Sequence, residues 1–231
     1  SCTAGAWTTL LDMSGVGAGA VNVSITHGDA AGNTSAAQVV ALLKDIIIPT
    51  LTFDNLVSPN DIVNNTTKGS FHITGTCSEI GRNVSISGAA VAQNVVCGAG
   101  NVFGANIDVT AASDGATVIL ANHSDIGGNP AIQASLNLVK DIAAPALAFT
   151  SPAANAYIKA SNKAAFTVQG TCSENTRAVT FSGAAIGSTN CAAGAFSLAL
   201  DFSGQADGTV NLVANHADLG GNSLSINRKY T

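Results

Sequence analysis

Residues 45–140 and 141–231 are two copies of one pattern, and residues 1–44 repeat only its second half. Both copies run from an Asp-apolar-Pro start, through Gly-Thr-Cys-Ser-Glu, to a second Cys and a closing Asp-x-x-Gly-Asn. The paired landmarks are Asp45/Asp141, Pro49/Pro145, Phe71/Phe166, Cys77/Cys172, Glu79/Glu174, Cys97/Cys191 and Asp125/Asp218. The first segment joins late. Its matches are Cys2, Trp7 (spaced as Phe196 is from Cys191), Asp12, His27, Asp29 and Asn33. A period of about 95 residues means an array of similar domains. The expected units are therefore 1–44, 45–140 and 141–231, the first incomplete.

Helical periodicity is missing; short alternating runs are separated by Gly, Asn, Asp and Ser instead. In the second unit the spacing predicts strands near 48–54, 69–77, 83–88, 92–97, 101–110, 116–123 and 131–139. The third unit repeats them, and Val21, Val23 and Ile25 show the same alternation in the first. Seven short strands per unit, with turns at regular spacing, predict an all-β fold of tandem immunoglobulin-like Greek-key β-sandwiches. Residues 1–44 would supply only strands E to G, so Trp7, Leu11, Val21, Val23 and Ile25 would face water. Either upstream strands complete that half-sandwich or another chain does so, as in strand-complemented filaments.

Five cysteines fix the expected compartment. Cys77 and Cys97 lie 20 residues apart and Cys172 and Cys191 lie 19 apart, at equivalent points of the two repeats. No C-x-x-C cluster suits zinc, so one disulfide per domain and export to an oxidising space are expected. Strand B would end at the first Cys of each pair and strand E would follow the second, placing the bridge at one pole of the sandwich. Cys2 aligns with the second Cys of a pair and is expected to be unpaired within the chain.

Charged residues make up only 10% of the chain, with nine Lys and Arg against fourteen Asp and Glu. No basic stripe exists to meet phosphates, which argues against nucleic acid as a partner. No apolar run approaches the length of a membrane span. Twelve of the fourteen acidic residues fall in columns: Asp12/Asp108/Asp201, Asp29/Asp125/Asp218, Asp45/Asp141, Asp114/Asp207 and Glu79/Glu174. Asp45, Glu79 and Asp125 would converge at one domain junction, and Asp141, Glu174 and Asp218 at the next. Calcium, which takes six to eight oxygens, is the cation such clusters would suit. The simpler reading makes Asp125-Ile-Gly-Gly-Asn129 and Asp218-Leu-Gly-Gly-Asn222 ordinary turns. Glu79 would then pair with Arg82 and Glu174 with Arg177, while Lys44 and Lys140 neutralise the linker aspartates.

His27, His123 and His216 form a further column, two residues before each turn Asp. No nucleophile recurs beside them, so a hydrogen-bonded lid over the end of the core is expected rather than catalysis.

The linker Lys-Asp before Pro49 or Pro145, the Asp-Gly before strand F and the closing Asp-x-x-Gly-Asn resemble the tandem bacterial immunoglobulin-like (Big-type) repeats of large surface adhesins and secreted repeat proteins. That resemblance implies a non-enzymatic stalk or filament segment of an exported surface protein, with calcium stiffening some domain junctions. Its implied partners are neighbouring repeats and a ligand on a host or prey cell surface. The alternative is a binding module that recognises sugar or protein through its F–G and B–C loops. Those loops are alike between copies, which favours a scaffold.

Overall fold

The computed structural model describes residues 3–231, in which strands are joined by turns and one short 3-10 turn at Lys163–Ala165. The first segment contributes β1 (Gly19–Ile25) and β2 (Gln38–Lys44). Residues 45–140 contribute β3 (Leu51–Phe53), β4 (Ile62–Val63), β5 (Phe71–Cys77), β6 (Asn83–Gly88), β7 (Gln93–Val96), β8 (Val102–Ile107), β9 (Gly115–His123) and β10 (Ala134–Lys140). The last segment contributes β11 (Leu147–Ser151), β12 (Phe166–Cys172), β13 (Ala178–Gly183), β14 (Gly187–Asn190), β15 (Ala195–Leu200), β16 (Val210–Ala217) and β17 (Ser223–Tyr230).

In each full unit two antiparallel sheets face one another. The order is β3-β5-β8 against β4-β10-β9-β6-β7 in one, and β11-β12-β15 against β14-β13-β16-β17 in the other. β4 is the exception, running parallel to the end of β10. Alternation makes the cores. Ile73, Phe103 and Ile107 from one sheet of the first full unit meet Val84, Ile86, Ile119 and Leu138 from the other. Phe149, Phe181 and Phe196 form the aromatic centre of the second core.

Gly75 and Gly170 explain the glycine of the repeated Gly-Thr-Cys-Ser-Glu. A Cβ at Gly75 would collide with the Thr52 carbonyl and the Phe103 ring. At Gly170 it would collide with the Ala148 carbonyl and the Phe196 ring. Strand B thus lies under an aromatic ring with no room for a side chain.

Cys77 ends β5 and bonds Cys97 just before β8, and Cys172 bonds Cys191 in the same way, with Cα–Cα 5.9 Å in both. Each bridge joins two paired strands at one end of their sheet. The expectation for Cys2 lies outside the described residues.

The first segment departs from expectation at strand E. Residues 3–6 form the same tight turn as 192–195, with Thr3 bridged to Ala6 as Ala192 is to Ala195, but residues 7–13 are not a strand. The reason is topological. In the full units the equivalent strands β8 and β15 pair only with β5 and β12, and residues 1–44 contain no counterpart of those. The face is correspondingly open. Trp7 is 54% exposed where Phe103 and Phe196 are 3%, and Val40 is 46% exposed where its counterpart Leu136 is 6%.

Candidate functional site

The repeated acidic motif folds into the turn after β9 and after β16. Asp218 Oδ1 accepts the Asn222 backbone N–H at 2.9 Å and its Oδ2 accepts the Asn222 side-chain amide at 2.9 Å. Asp125 holds Asn129 through the same two bonds at 2.8 Å each, and Asp29 holds Asn33 at 2.9 and 2.8 Å. The second glycine of each turn, at φ +89° in both Gly128 and Gly221, occupies the left-handed region that excludes most side chains. Hydrogen bonds from Asn129 hold the Asp125 carboxyl below its ordinary value, and those from Asn33 do the same for Asp29.

The asparagine also reaches the linker. Asn129 Nδ2 donates to the Asp45 carbonyl at 3.2 Å, and Asn222 Nδ2 donates to the Asp141 carbonyl at 2.9 Å. The linker aspartates turn their carboxylates onto the backbone two residues ahead, Asp45 accepting from Ile47 and Asp141 from Ala143. Glu79 accepts from the Ser78 hydroxyl and Glu174 from Ser173. Those serines in turn accept the Thr50 and Ala146 N–H groups, tying the start of one strand to the end of its neighbour.

His123 and His216 are buried at this pole. Nδ1 of each donates to a carbonyl, that of Asn83 at 2.9 Å or Ala178 at 3.0 Å. Nε2 accepts the backbone N–H of Glu79 at 3.3 Å or Glu174 at 3.2 Å. Both ring nitrogens are occupied by main chain, which makes these residues struts between strand ends. His27 is exposed, because the segment lacks counterparts of Glu79 and Asn83.

The four expected charge pairings do not form. Arg82 reaches across to the carbonyls of Ser124 and Asp125 instead of Glu79, and Arg177 takes the carbonyl of Ala217. Lys44 and Lys140 do not pair with the aspartates that follow them, which lie beyond the strand ends and hold their own backbone. Lys44 caps the carbonyls of Met13 and Val16; Lys140 caps those of Thr110 and Ala112 and lies 3.9 Å from Asp114. Asp12, Asp108 and Asp201 each accept the N–H two residues on, closing the turn that follows β8 and β15 and its counterpart in the first segment. Asp207 lies in the matching exposed bend.

These carboxylates do not fit a calcium site as folded. Among the described residues no three His, Cys, Asp or Glu side chains group around a common point. Asp125 and Asp218 hold their asparagines, and the linker aspartates hold their own backbone. Asp61 Oδ1 is buried without a hydrogen-bond partner, yet it belongs to no such group.

What meets at the second junction is amide. Asn64 Nδ2 donates to the Gly220 carbonyl at 2.7 Å, and the Asn65 backbone N–H donates to Asn222 Oδ1 at 2.9 Å. Ile62 packs so closely on Gly220 that a Cβ there would lie 2.8 Å from Ile62 Cγ2. Sequence columns could not reveal this contact, because Asn64 and Asn65 do not recur. The matching stretch has Lys159 and Ala160, with Lys159 N–H bonded to Asn162 as Asn64 N–H is to Thr67. The usable signal was local: Asn64-x-Thr66-Thr67 is a side-chain-capped turn, Asn64 Oδ1 accepting from both threonines.

No family model matches the sequence, and no curated protein matches it. Solved structures do. A Ca2+-stabilised adhesin with which an Antarctic bacterium binds ice is 21% identical with a TM-score of 0.53, over 92% of this chain and 56% of that one. A 1.5-MDa bacterial ice-binding adhesin is 19% identical with a TM-score of 0.49, over 92% and 73%. A tetra-tandem repeat from the extending region of a large adhesion protein is 21% identical with a TM-score of 0.39, over 96% and 58%. The chain thus spans a little over half the length of the first of these structures. Its fold is that of tandem immunoglobulin-like β-sandwich repeats, similar to repeats found in bacterial adhesins.

Proposed function

We propose that this chain is a structural segment, a stalk or filament of an exported bacterial surface protein, that spaces an adhesive element from the cell. The observation that carries the reading is where the F–G turn goes. In a binding module the turn of residues 218–222 would be offered to a ligand, but Asn222 is only 7% exposed and bonded to the preceding domain. Two disulfides support an oxidising, extracellular setting. Among the described residues no helix is long and apolar enough to cross a membrane. Calcium, by which one of the similar adhesins is stabilised, would at these junctions require Asp218 or Asp141 to exchange its present hydrogen-bond partners for the ion. The partners this reading implies are other repeats, along the chain or on another copy, with a host or prey ligand reserved for a different part of the protein.

The reading is tested by presenting the immobilised chain to arrays of glycans and cell-surface proteins. No saturable binding is expected. A sub-micromolar ligand lost on substitution in the B–C or F–G loops would replace the stalk by a binding module.

A further inference from the structure

The two Asp-x-Gly-Gly-Asn turns differ only in Ile126 against Leu219, but only one is covered. Asn222 accepts the Asn65 N–H with Oδ1 and donates to Asp141 and Asp218 with Nδ2, so one side chain joins turn, linker and preceding domain. Gly220 offers its carbonyl to Asn64 and its bare Cα to Ile62. In the turn of residues 125–129 the inner half of this arrangement is complete: Asn129 holds Asp45 and Asp125. Among the described residues no donor meets Asn129 Oδ1 or the Gly127 carbonyl, and Gly127 is exposed. The neighbouring linker isoleucine follows suit, Ile46 being 57% exposed while its counterpart Ile142 is half-buried.

We propose that the Asp-x-Gly-Gly-Asn turn is a docking plug between repeats, and that the turn of residues 125–129 is a site for another such repeat. Its occupant is the strand-start of that repeat equivalent to residues 62–65: an apolar side chain over Gly127, a side-chain amide donor for the Gly127 carbonyl, and a main-chain N–H for Asn129 Oδ1. Such docking would continue the interface that residues 218–222 already make. Domains joined by a short linker move relative to one another unless their contact is substantial. Here two hydrogen bonds and one close apolar contact join the two domains directly. This inference goes beyond the stalk reading and does not depend on it, because the contact is a property of the pair of domains.

Gly220 is the place to test it. A Cβ there meets Ile62 of the other domain, while the nearest atoms of its own domain stand at 3.5 and 3.7 Å, and its φ is not in the left-handed region. The experiment is residual dipolar couplings on the whole chain, in chelator, for wild type, Gly220→Val and the double variant Ile62→Ala/Gly220→Val. One alignment tensor should fit both full domains of the wild type. Gly220→Val should require two, with each core's chemical shifts unchanged, and the double variant should recover a common tensor. The second arm replaces residues 1–44 by another copy of residues 45–140, which sets Ile62, Asn64 and Asn65 of that copy before the exposed turn. All three domains should then share one tensor. Separate tensors in wild type, a common tensor that appears only with calcium, insensitivity to Gly220→Val, or a free first domain in the tripled chain would each overturn the proposal.

Discussion

Removing either disulfide should lower the melting temperature of its own domain by about 12–24 °C and leave the other domain's transition where it was. The bridges close loops with sequence separations of 20 and 19. Chain-entropy arguments give a loop of that size about 3 kcal/mol of stabilisation. For a domain of roughly 95 residues each kcal/mol shifts the transition by about 4–8 °C. The effect should stay local, because the cores of the two full units are separate clusters. Calorimetry of Cys77→Ser/Cys97→Ser and Cys172→Ser/Cys191→Ser measures it. A loss under about 1 kcal/mol would show that the strand pairing of β5 with β8 needs no covalent clamp.

Gly75→Ala should destabilise the 45–140 domain by about 3 kcal/mol, the upper part of the range for overpacking. The added methyl has no retreat. On one side is the backbone carbonyl of Thr52 on the paired strand, and on the other is the ring of Phe103, which itself packs edge-on against Phe53. Gly170→Ala should do the same to the last domain through Ala148 and Phe196. Shrinking the ring distinguishes this cause from a mere loss of glycine: Gly75→Ala/Phe103→Leu should be less destabilised than the two single changes added together. Denaturant titration of the four proteins gives the coupling. Strict additivity would contradict the packing account.

The strands were legible because both sheets are half-exposed and alternate strictly, as in the buried positions of β8 and β12. The polar end was legible because the repeat doubles each signal; the paired Cys, His and Asp-x-x-Gly-Asn positions mark it in each full unit. What escaped was whatever occurs once or depends on a missing partner. β4 is only two residues long and carries no period. Asn64 and Asn65 have no second copy, Lys159 and Ala160 standing in their places, so the repeat does not mark them. The segment equivalent to strand E had the right sequence, Trp7 and Leu11 included, yet an extended segment becomes a strand only beside one. The arginines and lysines misled for a different reason. Proximity along the chain suggested carboxylate partners, whereas side-chain direction sent all four to backbone carbonyls that turns leave unpaired.

We propose that the chain is a series of separately folded beads, each full one clamped by a disulfide, that carry length. Single-molecule extension of the full 231-residue chain tests it most directly. Two unfolding events are expected, one per full domain, with no separate event from residues 1–44, whose apolar face lies open. Reduction should lengthen each event by about 60 Å, the reach of the roughly 20 residues each bridge hides less the span of the bridge itself. A single event releasing both domains together, or event lengths indifferent to reductant, would contradict the account.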